Sequence, residues 1–202
     1  MALWQGVGAP VIFALVAIVG GAMRPGYSHV MQAISELTEA GAADKPYLDP
    51  PLFAMQLLTF VFGLGFWWAV RRAKRTLRIS AACLMFIGLL GLFYPAFPMD
   101  PVGSAMTFDG RMHLIIVSIS AFAAIFAVAA SARGWFLTRG ARKMMVLSES
   151  TLLIMLASGV LAGLAGTLGW AGIGVWQRVN TGAFSVWEIA TAVYLLRVSE
   201  PQ

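Results

Sequence analysis

Charge is scarce in this sequence. Asp, Glu, Lys and Arg make up 11% of its 202 residues against 59% apolar ones, and the mean hydropathy is +0.80. A chain of that composition is not solvated as an ordinary soluble domain. Cysteine is nearly missing: Cys83 stands alone inside an apolar stretch, which excludes an intrachain disulfide framework and a Cys-based zinc site. The two histidines, His29 and His113, have no HxxxH or HExxH partner, so no metal is expected. No low-complexity tract and no stretch resembling a soluble domain is present.

What is there instead is a set of six apolar runs, each close to the roughly 20 residues a bilayer-crossing helix needs. They cover residues 3–23, 51–70, 79–97, 113–132, 146–170 and 175–198, the last being the most polar. The net charge of +5 and the pI near 9.9 come from basic residues gathered on one side of these runs. Arg71, Arg72, Lys74, Arg75 and Arg78 lie between runs two and three, Arg133, Arg139, Arg142 and Lys143 between four and five, and Arg197 ends run six. Only Arg24, Lys45, Arg111 and Arg178 fall on the other side. The asymmetry predicts a multi-pass protein of the cytoplasmic membrane with both termini inside. It accounts for the basic pI through the anionic inner leaflet, without nucleic acid.

The whole chain, 1–202, is expected to be one integral-membrane domain, an all-α six-helix bundle. The first run ends in Gly20, Gly21 and Ala22, like a signal cleavage region, but it lacks a charged leading segment and is read as a retained span. Six of the seven tryptophans fall near run ends, as interfacial rings do, and Trp187 lies deeper. Between runs one and two, residues 24–50 are too long for a simple tie. Within them Val30, Met31, Ile34 and Leu37 fit one face of a short amphipathic outer helix over 28–40. Pro46, Pro50 and Pro51 then extend the chain and start run two. In run five the small-residue pair Gly159 and Gly163, extended by Gly166, predicts close helix packing inside the monomer or a homodimer seam.

Candidate chemistry gathers on the outer side. Arg24, Ser35 and Glu36 lie in the first outer segment, Asp100, Asp109, Arg111 and His113 at the turn between runs three and four, and Arg178 at the start of run six. Asp109 and His113 are four apart and share a face if the helix starts early, which would raise the imidazole's basicity. The plainer reading makes Asp100 and Asp109 turn and cap residues, and lets the arginines snorkel or pair with acids. Glu149, near the basic end of run five, can reach water beside Arg142 and Lys143. Glu188 cannot. It lies mid-span, about 15 Å along the helix from Arg178, and must be protonated, paired or face a wet cavity.

The order and placement of Arg24-Pro25-Gly26-Tyr27-Ser28, Ile34-Ser35-Glu36-Leu37, Phe97-Pro98-Met99-Asp100, His113 and Gly174-Val175-Trp176-Gln177-Arg178 resemble the uncharacterised prokaryotic membrane proteins grouped as domain-of-unknown-function family 998. The resemblance covers nearly the whole chain. It implies six spans and an outer cluster of Ser35, Glu36, Asp100, His113 and Arg178, and it implies no activity.

Three functions remain open from the sequence. The first is binding, or transport, of a lipid headgroup or small anion at an outer pocket built from Arg24, Ser35, Glu36, Asp100, Asp109, Arg111, His113 and Arg178, with Glu188 as the midplane acid. The second is a membrane-embedded hydrolase using Ser35, Asp100 and His113. The third is a structural subunit of a larger membrane complex, or a homodimer. The chain lacks the inverted repeat and paired broken helices of many secondary transporters, which favours binding over transport. No cofactor is assigned.

Overall fold

The computed structural model describes residues 1–199 of the 1–202 expected as one domain. Six helices run antiparallel in chain order: α1 (Gln5–Met23), α2 (Lys45–Ala69), α3 (Arg75–Gly91), α4 (Phe108–Phe136), α5 (Arg142–Leu168) and α6 (Ile173–Ser199). Among the described residues there is no strand. Five of the six are long and apolar enough to cross a membrane. α6 matches α5 in length but carries Gln177, Arg178, Asn180 and Glu188, which lower its hydropathy.

Each helix packs on its chain neighbours, and α6 returns to α1 and touches α2, so the bundle closes into a ring. Short ties at residues 70–74 and 137–141 make up one end, together with both ends of the described chain, and these ties and the helix turns beside them carry most of the basic residues. This is the basic face. The other end, the capped face, holds residues 24–44, 92–107 and 169–172. The main core fills the half nearer the basic face with Phe62, Phe66, Leu77, Leu84, Val128, Trp135 and Trp187. Trp187 is fully buried and donates to Ser148 Oγ (3.0 Å), which ties α6 to α5 and explains a tryptophan so far from an interface.

Three expectations need correction. The outer helix over 28–40 is only a five-residue 3-10 turn, Ile34–Thr38. Apart from Gln32 N, which donates to Ser28 O (2.9 Å), the backbone here turns to α6: Val30 O accepts from Val175 N (3.2 Å) and Ile34 N donates to Gln177 Oε1 (2.9 Å). The prolines do not extend the chain ahead of the span, because α2 already begins at Lys45 and all three lie inside it. Pro46 sits in the first turn, where its missing N–H costs nothing, and Pro50 and Pro51 follow within the helix. The Gly159 and Gly163 pair does not pack tightly within the chain. A methyl on Gly163 would meet nothing, and one on Gly159 only the Asn180 side chain at 3.5 Å. Close approach by glycine occurs between α2 and α3, where Gly63 faces Met85 N and Gly88 faces Phe60 N.

Candidate functional site

From the capped face inward, three layers lie over one another on α1, α2 and α6. The first is a polar cap. Arg24, just past the end of α1, donates through Nη1 to the Glu36 carbonyl (2.5 Å) and Glu39 Oε1 (3.2 Å), and through Nε to Asp44 Oδ2 (3.5 Å). Glu36 is buried; its oxygens accept from Ala33 N (2.7 Å) and Gln32 Nε2 (2.9 Å), closing the 3-10 turn. Arg178 reaches from the first turns of α6 into this segment. It donates to Gln32 O (3.0 Å), Tyr27 Oη (2.8 Å) and His29 Nδ1 (3.0 Å). A guanidinium has no acceptor, so His29 Nδ1 presents its lone pair. Burial raises the Tyr27 phenol above its ordinary range despite Arg178, so the hydroxyl stays protonated and donates to Ala33 O (2.8 Å). Both arginines are thus held by the cap itself.

The second layer is apolar. Val16, Leu37 and Leu48 are buried together, flanked by Ile12, Tyr27, Ile34 and Leu52. It underlies the cap on the α1 and α2 side; on α6, Thr181 of the wall beneath bonds to Gln177 O, and the Gln177 side chain accepts from Ile34 N of the cap.

The third layer is a cavity of about 140 Å³ lined by Pro10 and Phe13 of α1, Gln56 and Thr59 of α2, and Ser185 and Glu188 of α6, among others. Glu188 is 4% exposed, and its Oε1 has no protein partner. No other lining residue is titratable. Thr181, also on the wall, gives its own proton to Gln177 O (3.0 Å), so its oxygen remains an acceptor. Pro10 has no N–H and leaves the Gly6 carbonyl without its helical donor. Gln56 is held against Gly91, where a side chain would collide with its amide. A wider depression at the basic face, beside Arg142 and Lys143, is an open apolar slope with no buried polar group.

The remaining expected residues form a separate group at the α3–α4 turn. Asp100 accepts from Thr107 N (2.8 Å) and Thr107 Oγ1 (2.7 Å), and Thr107 Oγ1 accepts in turn from Gly110 N (3.1 Å), which caps α4. Asp109 is exposed and does not pair with the buried His113; the carboxylate whose charge reaches His113 is that of Asp100. His113 Nδ1 donates to Phe97 O (2.9 Å). Ser35 Oγ meets Met99 Sδ (3.1 Å) and links the cap to this turn. Arg111 is exposed and reaches back only to Thr107 O (3.4 Å). Arg24, Glu36 and Arg178 thus share the hydrogen bonds of the cap, while Asp100 and His113 lie at the α3–α4 turn without a hydrogen bond to each other, and Ser35 and Ala40 N join that turn to the cap through Met99. Glu149 is exposed. Among the described residues no cluster of three metal-ligating side chains occurs.

A family model described as a protein of unknown function (DUF998) matches residues 7–194, which takes in the cap, the cavity and the Asp100 turn. The chain belongs to this family. Neither a curated protein nor a solved structure matches it.

The Thr107 bonds hold the Asp100 carboxyl below the usual carboxylate range, backbone first and hydroxyl second. A depressed folded value contributes stability above the unfolded value near 4 that is lost as pH falls through the folded one. Asp100→Ala is expected to speed amide exchange at Thr107 and Gly110 at neutral pH, and in the wild type the same acceleration is expected only in strong acid. Unchanged exchange in the variant would remove the capping role.

Proposed function

We propose that this protein is a six-span, intramembrane binding protein, with its basic face cytoplasmic, and that its ligand presents an amine or ammonium group to Glu188. One observation carries the reading: a buried carboxyl with an oxygen no protein donor satisfies, facing a cavity at mid-bundle. Intramembrane acids are rare, and they mark ligand or ion sites far more often than structural ones. The wall offers oxygen acceptors and no cation, which disfavours an anion. The arginines that would serve a lipid phosphate or small anion at the outer face are already engaged by the cap. An apolar cavity of about 150 Å³ accommodates benzene, so the Glu188 site has room for a group of roughly six heavy atoms, a headgroup rather than a whole lipid.

The test uses the purified protein in detergent with ammonium, methylammonium and tetramethylammonium chlorides as ligands, and sodium chloride to match ionic strength. A ligand that binds only the folded state stabilises it by about 2.7 kcal/mol at a hundredfold excess over its dissociation constant. At least one of the three is expected to raise the melting temperature of the wild type and to leave that of Glu188→Gln unmoved. Equal shifts in both proteins, or none in either, would sink the proposal.

A further inference from the structure

The positive charge of the basic face is not neutralised by the protein. All three ion pairs among the described residues involve Arg24 or Lys45, at the capped face. Glu149 is the acid of α5 nearest the ties; it is exposed and pairs with none of the basic side chains. Two of the arginines lean on aromatic rings instead, Arg71 over Trp68 at 5.5 Å and Arg133 over Phe136 at 5.4 Å. Arg142 and Lys143 do neither. Both are exposed in the first turn of α5, which holds no acid, whereas the first turn of α4 holds Asp109.

Beside these two charges the surface is hollow. Gly140, Arg142, Lys143, Val146, Leu147 and Ser150 line a depression of about 680 Å³. Gly140, at its tie end, has φ +78°, and a methyl there would meet nothing, so no side chain plugs the opening. Lys143, Val146, Leu147 and Ser150 recur every three or four residues and therefore form one stripe of α5. At a 1.5 Å rise per residue the stripe runs roughly 10 Å from Lys143 to Ser150, away from the basic face and into the span. Val146 is exposed along it and Leu147 half-buried. A cationic rim thus stands over an apolar floor.

We propose that this depression holds one anionic phospholipid from the leaflet that meets the basic face, its phosphate at Arg142 and Lys143 and an acyl chain along Val146, Leu147 and Ser150. Charge complementarity selects the class of lipid. Two cations with no acid beside them favour a headgroup of net negative charge, and basic pockets on transmembrane helices at that level bind such headgroups. A zwitterionic headgroup would bring its own ammonium against the same cations. The apolar floor selects a lipid over a free phosphate ion, because burying a chain there removes apolar surface from water and an inorganic ion gains nothing from it. The site lies at the opposite end of the bundle from the cap and does not use Glu188, so it stands or falls independently of the ammonium reading.

Native mass spectrometry of the delipidated full chain in detergent tests this, with phosphatidylglycerol, phosphatidylethanolamine and glycerol 3-phosphate as probes. One phosphatidylglycerol is expected to stay bound at concentrations where neither of the other two does. Each basic residue near an anionic headgroup strengthens binding roughly fivefold, so the double variant Arg142→Gln with Lys143→Gln is expected to weaken that first binding step about 25-fold. Arg71→Gln with Arg72→Gln removes the same charge from the other tie and is expected to change it by less than about fivefold. Ser150→Trp keeps both cations and fills the apolar slope, and is expected to weaken the lipid as well. All four sites of substitution in the two double variants are exposed, and melting temperatures near the wild type's confirm that the fold is kept. Equal weakening in the two double variants would reduce the effect to diffuse surface charge and overturn the site. Phosphatidylethanolamine bound as tightly as phosphatidylglycerol would overturn the headgroup selection, and glycerol 3-phosphate bound as tightly as the lipid would overturn the role of the chain.

Discussion

Glu188→Leu is expected to make the protein more stable. The carboxyl sits in a largely apolar wall with no donor for Oε1, and an unsatisfied buried polar atom costs about 1–3 kcal/mol. Leucine fills a similar volume without that cost, so a gain on the order of 1–3 kcal/mol in detergent is the expected result, with any ammonium response abolished. Glu188→Gln keeps shape and polarity and should fold as the wild type does, but without the charge that holds a cation. The sign separates the two roles this residue can have. A structural acid is destabilised by removal, because its partners are stranded. A binding acid is stabilised, because nothing in the protein was paired with it. A lower melting temperature for Glu188→Leu would assign Glu188 to the architecture and favour a structural subunit.

The second large effect concerns the cap. Gly174, in the first turn of α6, has the carbonyls of Gln32 and His29 directly over its Cα, along with the Arg178 guanidinium. A methyl group there collides with backbone, which cannot rotate away, so Gly174→Ala must lift the segment that Arg178, Val175 and Gln177 hold down. Overpacking costs typically about 1–3 kcal/mol, and the bonds lost with the segment add to it. Limited proteolysis between residues 24 and 44 is expected to become rapid in this variant. Gly163→Ala is the matched control: its methyl meets nothing, and the helix gains up to about 1 kcal/mol in propensity. Comparable losses in both variants would mean that the cap does not depend on this close approach.

The sequence carried the bundle because its signals there are long and redundant. Runs of apolar residues fixed the helices to within several residues, and Trp187 and Glu188 stood out as misfits among them. Helix ends were less legible. α2 begins at Lys45, ahead of Pro50 and Pro51, because a helix anchored by tertiary packing tolerates prolines that would stop an isolated one. The segment 28–40 shows the opposite failure. Its apolar spacing suits a helix, but α6 supplies better partners for its backbone, and periodicity does not register a partner more than a hundred residues away. The same limit hid the cavity. Glu188 stood out in the sequence as polarity out of place, whereas Gln56 and Ser185 did not, and that the three meet at one level is a property of the ring closure between α1 and α6. Arg178 and Asp100 were legible as polar outer residues, but their hydrogen bonds to Tyr27 and to Thr107 were not.

The binding role of Glu188 is tested most directly by infrared difference spectroscopy of wild type against Glu188→Gln in lipid nanodiscs, with the ligand-free carboxyl predicted to give the C=O stretch of a protonated acid. Addition of the ammonium ion that stabilises the protein is predicted to shift or abolish that band, as the carboxyl gives up its proton to face a cation. A band that is present and unmoved by every ammonium ion tested would contradict the account.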